Sequence, residues 1–155
     1  MLKVGEKAPA FTLPDQEGKM HSLKNYEGKW VLIYFYPKDD TPGCTKEACA
    51  IRDEFPVFTL LNAEVFGVSV DSSKSHAKFA EKYDLPFTLL ADEDKKMVKE
   101  YEVWGKNKFM GREYMEIART SFLIDTKGNI VKIYENVKPE AHAIDVLGDI
   151  KKLSA

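Results

Sequence analysis

An α/β fold, with a central mixed β-sheet flanked by helices and a β-hairpin extension at the N-terminus, is what the 155-residue sequence predicts. Three observations carry that expectation. Trp30 to Tyr36 (WVLIYFY) is an unbroken apolar and aromatic run, the mark of a strand buried on both faces at the centre of a sheet. Further strand-like runs at Val65–Val70, Phe87–Leu90 and Ile117–Ile124 alternate with amphipathic helical stretches. The polar turn after Tyr36 leads straight into a helix start, and open α/β sheets place their sites beyond such carboxyl ends.

In chain order, Phe11–Leu13 and Met20–Leu23 flank a turn at Asp15–Gly18 and read as a hairpin ahead of the first long strand. Pro37 stops that strand. Thr41-Pro42-Gly43-Cys44 reads as a helix start, with a hydroxyl at N-cap and a proline at N1, where its missing N–H costs nothing. This helix is expected to run to about Leu61 with Ala50, Ile51, Phe55 and Phe58 inward, and Pro56 should kink it or mark an irregular turn. A strand at Val65–Val70 follows, then a helix at about Ser73–Tyr83 with Ala77, Phe79 and Ala80 as its apolar residues. Beyond Leu85-Pro86 come a strand at Phe87–Leu90 and a short amphipathic helix from Asp92 to Tyr101. A Gly- and Lys-rich loop from Trp104 to Arg112 precedes a long strand, Tyr114 to Asp125, joined through Thr126–Asn129 to Ile130–Tyr134. A last helix from about Pro139 to Lys152 presents Ala143, Ile144, Val146, Leu147 and Ile150 to the core. Strand, helix, strand, helix, strand, strand, helix is the thioredoxin order, with a hairpin and an extra helix added. The length suits a single domain over residues 1–155, and no repeat or linker divides it.

Composition narrows the partners. With 31% charged residues and a net charge of −2, the chain offers no basic field for nucleic acid or anionic lipid. The N-terminus lacks an apolar h-region and no apolar run reaches a membrane span, so a soluble cytoplasmic protein is expected. Two cysteines five residues apart fit a reducing compartment in which a disulfide is transient.

Cys44 falls at N3 of its helix, where a capping box normally carries a carboxylate. The positive end of the helix dipole favours a thiol's anion there. A free thiol is only about 3% ionised at pH 7, and becoming mostly thiolate takes roughly 2.7 kcal/mol. A helix end typically supplies about 0.3 to 1 kcal/mol, with about 2 as a ceiling, so a cation is implied as well. Lys38 is on a flexible turn, Lys46 is on another helix face, and Arg52 is more than two turns away. Arg119 is different: it interrupts the largely apolar run Ile117–Ile124, where an arginine must find an anion or a route to water. The competing reading is an edge-strand arginine facing solvent. Cys49, on a regular helix, would have its Cα roughly 8.6 Å from that of Cys44. Disulfides need about 7 Å or less, so the two sulfurs can join only if the first turns unwind.

Plainer roles compete with each of these. A buried cysteine is usually inert, and one inside a helix can simply pack. Thr41 serves as an N-cap and Pro37 as a strand end. His21, His76 and His142 are scattered and read as surface or packing residues, with neither a Ser-His-Asp order nor a metal-ligand cluster, since zinc typically takes four ligands in paired spacing. Asp39 and Asp40 read as a solvated turn. Trp104, Phe109 and Tyr36 either line the mouth of a site or pack in the core.

The stretch PKDDTPGCTKEAC resembles the active-site signature of the peroxiredoxins: Pro, three residues, Thr, two residues, Cys. The second Cys five positions on is similar to the bacterioferritin comigratory protein, or PrxQ, subgroup. The likeness extends from VGEKAPAFTLPD to RTSFLID and beyond. It implies a thiol peroxidase of antioxidant defence, acting on hydrogen peroxide and organic hydroperoxides. Cys44 would be the peroxidatic cysteine, Cys49 the resolving one, Arg119 the catalytic arginine, and Pro37 a shield for the sulfur. Gly43, Cys44, Thr41 and Arg119 would supply the donors that hold the substrate. No metal or other cofactor is implied, because the electrons come from sulfur. A thioredoxin-like dithiol would reset the enzyme, which is expected to be a monomer or weak homodimer. The alternatives are a thioredoxin-like protein disulfide oxidoreductase, which usually shows C-x-x-C, and a redox-sensing module on the same fold.

Overall fold

The computed structural model describes residues 2–154, so the first and last residues of the expected 1–155 unit lie outside the description. The N-terminal hairpin is short: β1 (Thr12–Pro14) pairs antiparallel with β2 (Met20–Ser22), and a 3-10 turn (Leu23–Tyr26) leads into β3 (Trp30–Phe35). Helix α1 (Pro42–Leu60) then crosses to β4 (Ala63–Ser69), and α2 (Ser73–Tyr83) crosses to β5 (Thr88–Ala91). After the short α3 (Lys96–Glu100) come β6 (Trp104–Phe109), β7 (Arg112–Ile117), β8 (Ser121–Ile124), β9 (Ile130–Tyr134) and α4 (His142–Leu153).

The five-stranded sheet has the order β5-β4-β3-β8-β9. Strand β3 lies at its centre, parallel to β4 and antiparallel to β8, so the sheet is mixed as expected. Successive side chains of a strand point to opposite faces, and β3 uses both. Leu32 and Tyr34 pack with Ile51 and Phe58 of α1, Phe79 of α2 and Val146 and Ile150 of α4. Val31, Ile33 and Phe35 pack with Phe66, Met97, Val98 and Phe122 on the other side. This is the thioredoxin-like architecture, and the carboxyl end of β3 delivers the chain to the start of α1.

Several expectations need correction. The loop at Trp104–Arg112 and the long strand from Tyr114 are instead a hairpin, β6–β7, standing apart from the main sheet. It closes over Met110 (φ 51) and Gly111 (φ 81), the two positive-φ residues a type I′ turn demands. Most of its residues are exposed on both faces, so no apolar alternation announced it. The expected long strand is therefore cut at Ala118–Thr120, and its second part, β8, belongs to the main sheet. Helix α3 is shorter than expected because Asp92 turns back over its start, accepting the N–H groups of Met97 and Val98. Ile144 is 63% exposed and leaves the core face of α4 to Ala143, Val146, Leu147 and Ile150. Helix α1 carries Pro56 in its later turns and continues to Leu60. Among the described residues, no helix is long and apolar enough to cross a membrane.

Candidate active site

The last buried residue of the β3 segment is Tyr36, whose N–H still reaches the Val68 carbonyl at 3.1 Å. Pro37, with no N–H to offer, ends the ladder. Thr41 follows with extended backbone (φ −94, ψ 156), Pro42 opens α1, and Cys44 falls at N3. The Thr41 carbonyl accepts the Thr45 N–H at 2.8 Å, as an N-cap should. Its hydroxyl does not cap. It turns back and donates to the Lys38 carbonyl at 2.9 Å, which corrects the expected side-chain cap.

Cys44 is buried, and Arg119 Nη2 lies 3.1 Å from its Sγ. The arginine comes from the Ala118–Thr120 break between β7 and β8, the interruption that the single-strand reading did not foresee. Of the other candidate cations, Lys38 is exposed on its turn, Lys46 faces Glu140 at 3.8 Å on the surface, and Arg52 pairs with Asp53 and donates to the Tyr83 carbonyl. Gly43 is the residue between the loop and the cysteine over which the guanidinium lies. A Cβ there would stand 2.6 Å from Arg119 Nη2, closer than side chains approach one another.

Sequence reasoning missed Glu47. Its Oε1 lies 3.4 Å from Arg119 Nη1, and its side chain is 1% exposed. Burial pushes its carboxyl up to about 7, with the Arg119 charge pulling the other way. Among the described residues its Oε2 has no hydrogen-bond partner. The signal was available: three residues after Cys44, Glu47 shares a helix face with Cys44, Ala48 and Ile51, and that stripe is otherwise apolar. Glu47 and Cys44 thus approach the guanidinium from the same face of α1.

Pro37, half-buried, lines a cavity of about 600 Å³ together with Trp104, Ile117, Ala118, Arg119 and Val137. Of the three aromatics considered for a mouth, Trp104 alone is in this wall. Phe109 is exposed at the hairpin tip, and Tyr36 is buried with its hydroxyl donating to Asp39. Cys49 is half-buried on the same helix as Cys44, and both thiols are free.

The histidines are all buried, which corrects the surface half of that expectation. Each is tied to a polar neighbour: His21 to Asp15 and Tyr26, His76 to Asp39, and His142 to Ser121. The Asp39-Asp40 pair divides. Asp39 is buried, whereas Asp40 is exposed and accepts from Lys82 Nζ and the Tyr83 hydroxyl. Asp39, Asp71 and His76 bring ligand-type atoms within 4.8 Å of one another, a convergence the sequence did not suggest. Hydrogen bonds account for it: Asp71 Oδ2 accepts the Asp39 N–H and the Ser69 hydroxyl, and Asp39 Oδ2 accepts the Ser75 hydroxyl.

Residues 4–133 match the model of the AhpC/TSA family. The chain is 50% identical over 148 residues to a putative peroxiredoxin bcp of Coxiella burnetii, covering 95% of this chain and 97% of the relative. It is 44% identical over 153 residues to peroxiredoxin Bcp of Bacillus subtilis, covering 99% and 98%. Among solved structures it is similar to a cysteine-to-serine mutant of PrxQ from Xylella fastidiosa, with a TM-score of 0.95 at 31% identity over 100% of this chain and 99% of that one. It is also similar to the bacterioferritin comigratory protein of Xanthomonas campestris, described for its alkyl peroxide reduction activity, with a TM-score of 0.89 at 34% identity over 94% and 92% of the two chains.

Proposed function

The chain belongs to the AhpC/TSA family, as a peroxiredoxin of the PrxQ/Bcp subfamily, and from that premise we propose that it reduces hydrogen peroxide and organic hydroperoxides through Cys44. Thiol peroxidase chemistry is what the family has in common. The observation that supports its assignment to particular residues is the 3.1 Å contact between Arg119 Nη2 and Cys44 Sγ. That contact, added to the helix N-terminus, sets two positive ends against the sulfur, where charge moves in the reaction.

In the first step the Cys44 thiolate attacks one peroxide oxygen. An S–O bond forms, the O–O bond breaks, and two sulfur electrons pass to the departing oxygen, which takes a proton and leaves as water or alcohol. Cys44 becomes a sulfenic acid. Negative charge shifts along the O–O bond, and donors already aimed at it need no reorganisation. Arg119 and the N–H groups of Gly43 and Cys44 are those donors. Thr41 has a different part from the one its sequence position suggested. Its proton is given to the Lys38 carbonyl, so its oxygen is free to accept the hydroperoxide O–H. Pro37 lines the cavity beside Arg119, and the likeness to the peroxiredoxins gives it the part of shielding the sulfur from water.

In the second step the Cys49 thiol attacks the Cys44 sulfur, an S–S bond forms and water leaves. Both cysteines lie on one continuous helix, and a regular helix holds them roughly 8.6 Å apart at Cα, so the first turns of α1 unwind for this step. A thioredoxin-like dithiol then returns two electrons and two protons by thiol-disulfide exchange. Every group invoked belongs to one chain, so a monomer or weak homodimer suffices.

Stopped-flow mixing of the reduced protein with hydrogen peroxide, followed by steady-state turnover with a thioredoxin system, tests the proposal. Rapid stoichiometric consumption and sustained turnover are expected. A reaction no faster than that of free cysteine, or no turnover with any dithiol protein, would overturn it.

A further inference from the structure

Between Pro37 and Thr41, the loop that delivers Cys44 carries Asp39, and this aspartate is held from every side. Tyr36 donates to its Oδ1 at 2.6 Å, and the Ser75 hydroxyl and His76 Nδ1 lie 2.7 Å from its Oδ2. Its own N–H donates to Asp71 Oδ2 at 2.8 Å. The histidine is equally constrained: its ring is fully buried, and Nε2 lies 2.9 Å from the Leu90 carbonyl. A backbone carbonyl can only accept, so Nε2 carries a proton. The ring therefore spans from Leu90 of β5, through α2, to Asp39 of the loop, tying the loop to the edge of the main sheet.

The rest of α2 repeats this hold. Asp40 (φ 57) is tied to Lys82 and Tyr83 at the far end of the helix, and Arg52 on α1 reaches the Tyr83 carbonyl at 2.8 Å. These anchors bracket residues 41–51, the segment that contains both cysteines. Upstream and downstream of it the chain is fastened to α2.

On the reading of Cys44 as the reacting sulfur, we infer that His76 is a positioning residue. Through Asp39 it holds the 37–41 loop and the first turn of α1 in the conformation that brings Cys44 to Arg119. The two chemical steps make opposite demands on that conformation. Attack on peroxide needs the folded first turn, whereas disulfide formation needs it unwound. A contact present only in the folded form shifts the population toward it, and so favours the first step at the expense of the second. The buried Asp39–His76 contact sets the balance between them.

The test compares wild type with His76→Gln and Asp39→Asn, using rapid quench and mass spectrometry to time sulfenic acid formation and disulfide formation separately. Hydrogen exchange over residues 37–49 is measured in parallel. The variants are expected to form sulfenic acid at least tenfold more slowly, to close the disulfide as fast as wild type or faster, and to exchange faster in that segment with β3 and β8 unchanged. Equal slowing of both steps, no change in either, or faster exchange throughout the sheet would overturn the inference. Should either variant fail to fold, Ser75→Ala removes one donor to Asp39 and leaves the ring in place. It is expected to divide the two steps in the same sense, and an undivided effect counts against the role. A wild type inert to peroxide would remove the reading of Cys44 itself. A reactive wild type whose variants slow both steps alike removes only the role of His76.

Discussion

Arg119 lies across the α-carbon of Gly43, so closely that a methyl group placed there would come within 2.6 Å of Nη2 and 3.3 Å of Cζ. The glycine is thus required by the guanidinium and not by backbone conformation. Gly43→Ala should leave α1 as stable or more so, since alanine is the better helix former by about 1 kcal/mol. It should nevertheless displace Arg119 and slow the peroxide step on the order of 10²-fold, the usual effect of an ångström's misplacement. Thermal melts and stopped-flow kinetics on the same preparation check both halves.

Arg119→Ala removes the donor itself. The side chain is a quarter exposed and comes from an irregular segment, so the fold should survive its loss. The peroxide step should fall about 10²- to 10³-fold, as for removal of one preorganised donor. Arg119→Lys should restore little, because an ammonium cannot place two donors in the plane shared by Cys44 and Glu47. Wild-type kinetics in either variant would refute the role.

Glu47 gives stability a pH dependence of known sign. Burial raises its carboxyl from 4.5 to about 7 in the folded protein, so the folded state favours the protonated form. Its contribution is full below about pH 4.5 and is lost as pH rises through 7, by up to about 3 kcal/mol. Glu47→Gln cannot ionise, so denaturant melts at pH 5 and pH 8 should differ less in the variant than in wild type. A larger difference in the variant would contradict this account.

His142 acts in the opposite direction. Burial beside Ser121 lowers its pKa from 6.5 to about 4, against the weaker pull of Asp145. The neutral ring stabilises the fold fully above pH 6.5, and that stability is lost as pH falls through 4, again by about 3 kcal/mol at most. His142→Gln should flatten the acid limb of the stability profile between pH 6.5 and 4, read by melts across that range.

The parts of the fold that were legible in the sequence are those with a one-dimensional cause. The run of seven apolar residues at Trp30–Tyr36 became the centre of the sheet because both of its faces are covered. Thr41-Pro42 marked the start of α1 because a proline at the first helical position has no N–H to leave unpaired, and Arg119 stood out because its neighbours are apolar. What escaped depended on three-dimensional company. The β6–β7 hairpin buries little, so hydrophobic periodicity was silent, and only the Met110-Gly111 turn marked it. Glu47 reads as a surface residue until the stripe of Cys44, Ala48 and Ile51 is placed against the sheet. Asp39 and His76 are 37 residues apart in sequence and meet only after α2 has packed. Polar residues carry no mark of burial, which is why the sequence leaves the three histidines open to surface or packing and reads Asp39 as part of a solvated turn, whereas all four are buried.

The central claim is that oxidant strikes one sulfur and that its neighbour on the same helix completes the cycle. Reduced Cys49→Ser treated with a single equivalent of hydrogen peroxide and analysed by mass spectrometry tests this most directly. The account predicts rapid uptake of one oxygen atom at Cys44, followed by a stall with no turnover on adding a thioredoxin system. Oxygen appearing elsewhere in the chain, or turnover undiminished from that of the unsubstituted protein, would contradict it.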